Sequence, residues 1–103
     1  MITDFENLVG SDRLTLVDFY ATWCAPCCRM MPMLDEVQAE WADRLHLIKI
    51  DVNEHTSLAV QQRVMGVPTL ILFRRGKELW RYAGTPTKAE LVQALLQAAE
   101  RAE

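Results

Sequence analysis

Three cysteines stand within five residues, at positions 24, 27 and 28, in the run Trp23-Cys24-Ala25-Pro26-Cys27-Cys28. A disulfide scaffold spreads its cysteines to staple distant segments, so this crowding points to chemistry or to a metal. Cys-x-x-Cys at a strand-to-helix junction reads as a dithiol redox site. At a helix N-terminus, free N–H groups and the helix dipole would favour the thiolate of Cys24, the species that attacks a disulfide. Cys27 lies one helical turn further on, near enough to attack the mixed disulfide and release the product. Pro26 suits the first helical turn, where a missing N–H costs nothing. Two more ionisable residues interrupt apolar runs: Asp18 in LTLVDFY and Lys49 in LHLIKIDV.

The elements that must position these groups follow from the hydrophobic pattern. Thr3-x-x-Glu6 reads as a capping box for a short helix that buries Phe5, Leu8 and Val9, with Gly10 as its stop. Leu14 to Tyr20 and Leu45 to Val52 read as buried strands. Between them, Met30, Met31, Leu34, Val37 and Trp41 keep helical spacing from Pro26 to about Asp43, with Pro32 inside that helix. Thr56 to Arg63 reads as a short helix and Thr69 to Phe73 as a third strand. A turn at Arg75-Gly76-Lys77 leads into a fourth strand from Glu78 to Ala83. Thr87-x-x-Glu90 caps a last helix with Leu91, Val92, Leu95 and Ala98 on its apolar face. This order predicts an α/β fold with a mixed central sheet covered by helices on both faces.

With these residues and elements in view, the chain resembles the thioredoxin family. Trp23-Cys24-Ala25-Pro26-Cys27 after Val17-Asp18-Phe19-Tyr20-Ala21-Thr22, Pro32 within the helix, Gly66-Val67-Pro68-Thr69 and Gly84 carry the likeness. It runs from about Thr15 to the C-terminus. The resemblance implies a redox-active disulfide between Cys24 and Cys27, with Cys24 the exposed attacking thiol and Cys27 the buried resolving one. It puts Asp18 behind Cys27 as a proton carrier, with Lys49 as its partner. It makes Val67-Pro68 a cis bond whose backbone pairs with an extended substrate segment. Trp23, Ala25, Pro26, Val67, Pro68 and Gly84 would then line the substrate site. Tyr20 is expected in the core.

Three features depart from the family pattern. Only Met1 and Ile2 precede the first capping box, so the usual opening edge strand is missing and about four strands are expected. Ala25 stands where glycine is most typical, and the residues between the cysteines tune thiolate stability. Cys28 replaces a usual basic residue. It reads as a tolerated small side chain or as a regulatory thiol that competes for the mixed disulfide or takes a cap. As a third reading it is a zinc ligand with Cys24, Cys27 and His46 or His55, but the spacing of the two histidines does not demand convergence. Met30, Met31, Met33 and Met65 read as core filler and docking surface, and Arg74, Arg75 and Lys77 as a solvated hairpin tip.

Composition bounds the function classes. The chain has 103 residues, half of them hydrophobic, and a net charge of −3. That is one domain's material and enough to bury a core. It excludes a disordered chain. The acidic balance argues against nucleic acid as the main partner. No apolar run reaches the roughly 18 residues of a membrane span. The acidic N-terminus lacks an apolar signal core, so a cytoplasmic protein is expected, unless an export signal has been removed. The expected activity is protein disulfide reduction by a monomer without a bound cofactor, since the dithiol itself carries two electrons. Its substrates would be disulfide-containing proteins, and a thioredoxin reductase its electron donor. The alternatives are an exported thiol oxidase or isomerase, and a non-catalytic binding module.

Overall fold

The structure, a computed structural model, describes residues 4–101. Its order is α1 (Phe5–Val9), β1 (Leu14–Tyr20), α2 (Ala25–Trp41), a 3-10 turn (Ala42–Arg44), β2 (Leu45–Asp51), α3 (Thr56–Gln61), β3 (Thr69–Arg74), β4 (Lys77–Ala83) and α4 (Lys88–Ala99). Among the described residues the sheet has four strands in the order β2-β1-β3-β4. β1 and β2 are parallel, joined by α2 as a crossover; β1–β3 and β3–β4 are antiparallel. The mixed sheet is the one the element order predicts.

Strand alternation sorts the core into two layers. Leu14, Leu16, Leu70 and Leu72 face one way and pack under Met30, Leu34, Val37 and Trp41 of α2 and Leu91, Leu95 and Ala98 of α4. Val17, Phe19, Ile71 and Phe73 face the other way, against Phe5 and Val9 of α1 and Leu58 of α3. Asp18 follows Leu16 in the alternation, so its side chain points to the side that α2 covers. β1 is buried along almost its whole length because helices cover both faces, and this produces the continuous apolar run seen in the sequence.

Local chemistry explains the ends of the elements. In α4 the Thr87 hydroxyl accepts from the Glu90 amide at 3.1 Å, and the Glu90 carboxylate accepts from the Thr87 amide at 2.8 Å. The expected capping box is complete. At α1, Thr3 lies outside the described residues, and Asp4 stands at the N-cap without a side-chain cap bond. Leu8 is exposed rather than buried, because a helix this short presents only Phe5 and Val9, four apart, to the sheet. Gly10 is needed for closeness: a Cβ there would lie 2.7 Å from the Glu6 carbonyl oxygen. α3 stops at Gln61, before Arg63, whose φ of 57° is left-handed.

The β3–β4 hairpin turns on two residues, Arg75 and Gly76, both with positive φ, as a twisted two-residue hairpin requires. This tip is not merely solvated. The Arg75 and Gly76 amides donate to the carbonyls of Ser11 and Val9, each at 2.9 Å. Arg74 donates to the Asp12 carbonyl at 2.9 Å, and Arg75 forms an ion pair with the Asp12 carboxylate. The basic residues therefore clasp the hairpin to the loop between α1 and β1.

Candidate active site

The site forms where β1 ends and α2 begins. Cys24 has extended backbone (φ −90°, ψ 105°) and is the N-cap of α2, with Pro26 in the first turn. Its Sγ accepts the Cys27 backbone N–H at 3.2 Å, the role a serine or aspartate oxygen plays at ordinary caps. Three residues of helix bring the Cα atoms of Cys24 and Cys27 to 5.3 Å, and a disulfide joins the two. Cys28 is a free, exposed thiol. α2 continues past Pro32, which has no N–H to offer the Cys28 carbonyl one turn earlier.

The expected contrast between an open Cys24 and a closed Cys27 is small in this oxidised form. Cys24 is 5% exposed and Cys27 0%. Cys24 is tucked in because its sulfur caps the helix and it clusters with Ala21 and Cys27, against which Tyr20, Val52 and Val67 pack. What accessibility the disulfide has lies on the Cys24 side.

Asp18 is 0% exposed, and neither carboxyl oxygen has a hydrogen-bond partner among the described residues. Burial pushes its carboxyl up to about 6, and the charge of Lys49 pulls in the opposite direction. Lys49 is Asp18's neighbour in the parallel register. The expected Asp18–Lys49 pair is not formed, however. The Lys49 Nζ bonds the Asp35 carboxylate on α2 at 3.1 Å. An exposed ammonium keeps its hydration by turning outward, and Asp35 meets it at the rim of the sheet. Asp35 was not legible as a site residue; it is one of several acids on the outer side of α2, with no special spacing.

The Val67-Pro68 bond is cis. The loop around it is held at both ends. Thr69 Oγ1 donates to the Gly66 carbonyl at 2.7 Å, and the Gly84 amide donates to the Pro68 carbonyl at 2.9 Å. Gly84 adopts φ 126°, a region open to glycine and strained for other residues. Val67 packs against the cluster of Ala21, Cys24 and Cys27, so the cis-proline loop adjoins the disulfide.

Trp23 is 71% exposed and Met65 95%. With Val52, Val64, Gly66 and Val67 they line an open apolar groove of about 260 Å³. Large exposed apolar side chains grouped next to a reactive centre mark a contact surface. Val52 and Val64 are parts of it that sequence reasoning missed: Val52 read as the last residue of a buried strand, but β2 ends at Asp51, and Val64 carries no signal beyond apolar character. On the other flank Ala25 and Pro26 are exposed, and Pro26 borders a second groove. The structure brings Trp23, Cys24, Cys27 and Val67 together and leaves Lys49 outside. His46 lies on β2 and His55 in the following loop. Among the described residues, no group of three or more His, Cys, Asp or Glu side chains converges as a metal site would require.

Comparison with known proteins gives the same assignment. The family model described as thioredoxin matches residues 2–97. A thioredoxin-like protein of Synechocystis is 40% identical over 90 residues, covering 87% of this chain and 86% of that protein. A thioredoxin of Staphylococcus aureus is 39% identical over 92 residues, covering 89% and 88%. The crystal structure of a thioredoxin from Trypanosoma brucei brucei superposes with a TM-score of 0.89 at 27% identity, covering 98% of this chain and 88% of that one. With a Cys-x-x-Cys disulfide heading its longest helix, this chain belongs to the thioredoxin family and is a protein-disulfide reductase.

Proposed function

We propose that Cys24 is the attacking thiol, Cys27 the resolving thiol and Asp18 the proton carrier of a two-electron exchange. The reduced Cys24 thiolate attacks one sulfur of a substrate disulfide. A Cys24–substrate bond forms, and the other substrate sulfur leaves as a thiolate that takes a proton from water. Cys27 then loses its proton and attacks Cys24 Sγ. The Cys24–Cys27 disulfide forms, the mixed disulfide breaks, and the second substrate thiolate leaves. The observation that carries this reading is the cap: the Cys27 amide already points at Cys24 Sγ, so a thiolate there meets a positioned donor.

Asp18 supports the resolving step through its burial and its raised carboxyl. Near neutrality it is largely ionised, unpartnered and able to take a proton on the side of the sheet that α2 covers. Lys49 acts at a distance, by its charge on Asp18. Trp23, Ala25, Pro26, Val67, Pro68 and Gly84 form the substrate surface, and an extended substrate segment pairs with the backbone at Val67. The dithiol needs no bound cofactor. Disulfide-bonded proteins are the substrates, a thioredoxin reductase is the donor, and the protein works in the cytoplasm as a monomer. None of the described helices is long and apolar enough to cross a membrane. Cys28 is the candidate regulatory thiol.

The test is turnover of a disulfide-bonded protein coupled to NADPH and a thioredoxin reductase. Cys24→Ser abolishes turnover. Cys27→Ser accumulates a mixed disulfide at Cys24, seen by mass. Turnover that survives Cys24→Ser overturns the assignment.

A further inference from the structure

A second groove runs between the first turns of α2 and the segment that leads into α4. It has a volume of about 320 Å³ and includes Pro26, Arg29, Met30, Met33, Pro86 and Lys88 in its walls. Pro26, exposed between the two cysteines, forms part of its wall, so the groove borders the active-site turn.

Two cations border this groove, and they differ in what they are free to bind. The Lys88 ammonium is held by two carboxylates, Glu36 and Glu40, each at 2.8 Å. Arg29 is exposed, and its guanidinium has no ion pair or hydrogen bond among the described residues. Its own helix offers no partner, because the positions three and four residues away are Ala25, Pro26, Pro32 and Met33. It also stands in the second turn of α2, where the helix dipole does not favour a cation. A fixed fork of five donors, unmatched in a groove whose walls also include apolar Met30 and Met33, suits a carboxylate carried next to an apolar side chain.

We propose that Arg29 is a specificity-determining residue: this groove receives the flank of a substrate polypeptide that carries an Asp or Glu beside an apolar residue near its disulfide. The unpaired charge of Arg29 and the presence of Pro26, between the two cysteines, in the groove wall support that occupant. The inference rests on the disulfide-reductase reading and names the substrate class the reductase prefers. Lys88 offsets one of the two negative charges of Glu36 and Glu40, and neither carboxylate engages Arg29.

The experiment compares two disulfide-linked peptides that differ only in a Glu-Leu or Gln-Leu flank, reduced by the wild type, Arg29→Gln and Arg29→Glu. The wild type favours the Glu peptide in kcat/KM by about threefold to tenfold, the range of one partly exposed charge-assisted contact. The preference is carried by KM and fades in 0.5 M salt. Arg29→Gln brings the ratio to one, and Arg29→Glu inverts it. Equal kcat/KM for both peptides with the wild type, or a preference that Arg29→Gln leaves intact, overturns the inference. An effect of Arg29→Gln on both peptides alike also overturns it, because that is a change in thiol reactivity rather than recognition. The parent reading fails separately, by Cys24→Ser still reducing either peptide.

Discussion

The backbone amide of Cys27 lies 3.2 Å from the sulfur of Cys24, so the N–H of the second cysteine caps the first. The disulfide and the start of α2 are therefore one structural feature. The same donor that ends the helix neatly when the pair is oxidised faces the free sulfur once it is reduced.

This relationship predicts unequal cysteines. In the reduced protein at pH 7, iodoacetamide labels Cys24 before Cys28, with a rate at least roughly tenfold higher, because only Cys24 meets the helix N-terminus. In the oxidised protein a thiol reagent modifies a single cysteine, Cys28, which is free and exposed. Peptide mass mapping of time points reads both outcomes. Labelling of Cys24 in the oxidised protein would mean that the disulfide had formed elsewhere.

Asp18 predicts a pH dependence of stability. Its carboxyl titrates at about 6 in the folded oxidised protein, against 3.8 for the ordinary group. Between these values the folded state holds more protons than the unfolded state. Raising the pH through that window therefore lowers stability, which levels off above about 6. The shift corresponds to about 3 kcal/mol. Replacing Asp18 with Ala raises stability at pH 8 by about 2–3 kcal/mol, and the gain shrinks towards pH 4. Urea unfolding of the oxidised proteins at pH 4, 6 and 8 checks the sign; a pH-independent difference would contradict it.

Lys49 acts on Asp18 by charge while bonding to Asp35, and the two effects separate by mutation. Lys49→Met removes the attraction that lowers the Asp18 carboxyl, so its NMR titration midpoint moves up. Asp35→Asn breaks an ion pair whose members are both well exposed, and costs less than about 1 kcal/mol. A large loss on Asp35→Asn would show that the pair is more central than its exposure implies.

Gly84 holds the cis-proline loop through a bond that any residue could make, at a φ that glycine alone adopts freely. A Cβ there meets only Tyr82, at an ordinary 3.6 Å, so the cost of Gly84→Ala is backbone strain. The expected loss is about 1–2 kcal/mol. It appears in thermal or urea unfolding, while the disulfide between Cys24 and Cys27 still forms. Unchanged stability would mean that the loop relaxes away from Pro68.

The Cys-x-x-Cys chemistry, the helix after it, the four strands and the α4 capping box were all determined by the sequence itself. Each rests on contacts between residues close in the chain: one helical turn from Cys24 to Cys27, alternation along a strand, three residues from Thr87 to Glu90. Tertiary structure alone decided how distant segments share space. It turned Lys49 outward to Asp35, because an ammonium keeps its hydration at the sheet's rim rather than join Asp18 in the interior. It joined Trp23, Val64 and Val67 into one apolar groove, although more than forty positions separate the first from the others. It docked the Arg74–Gly76 hairpin tip on the α1–β1 loop and left Arg29 unmatched beside Met30 and Met33. Those outcomes depend on how the covered faces of the sheet bring segments together, and local spacing carries no record of that.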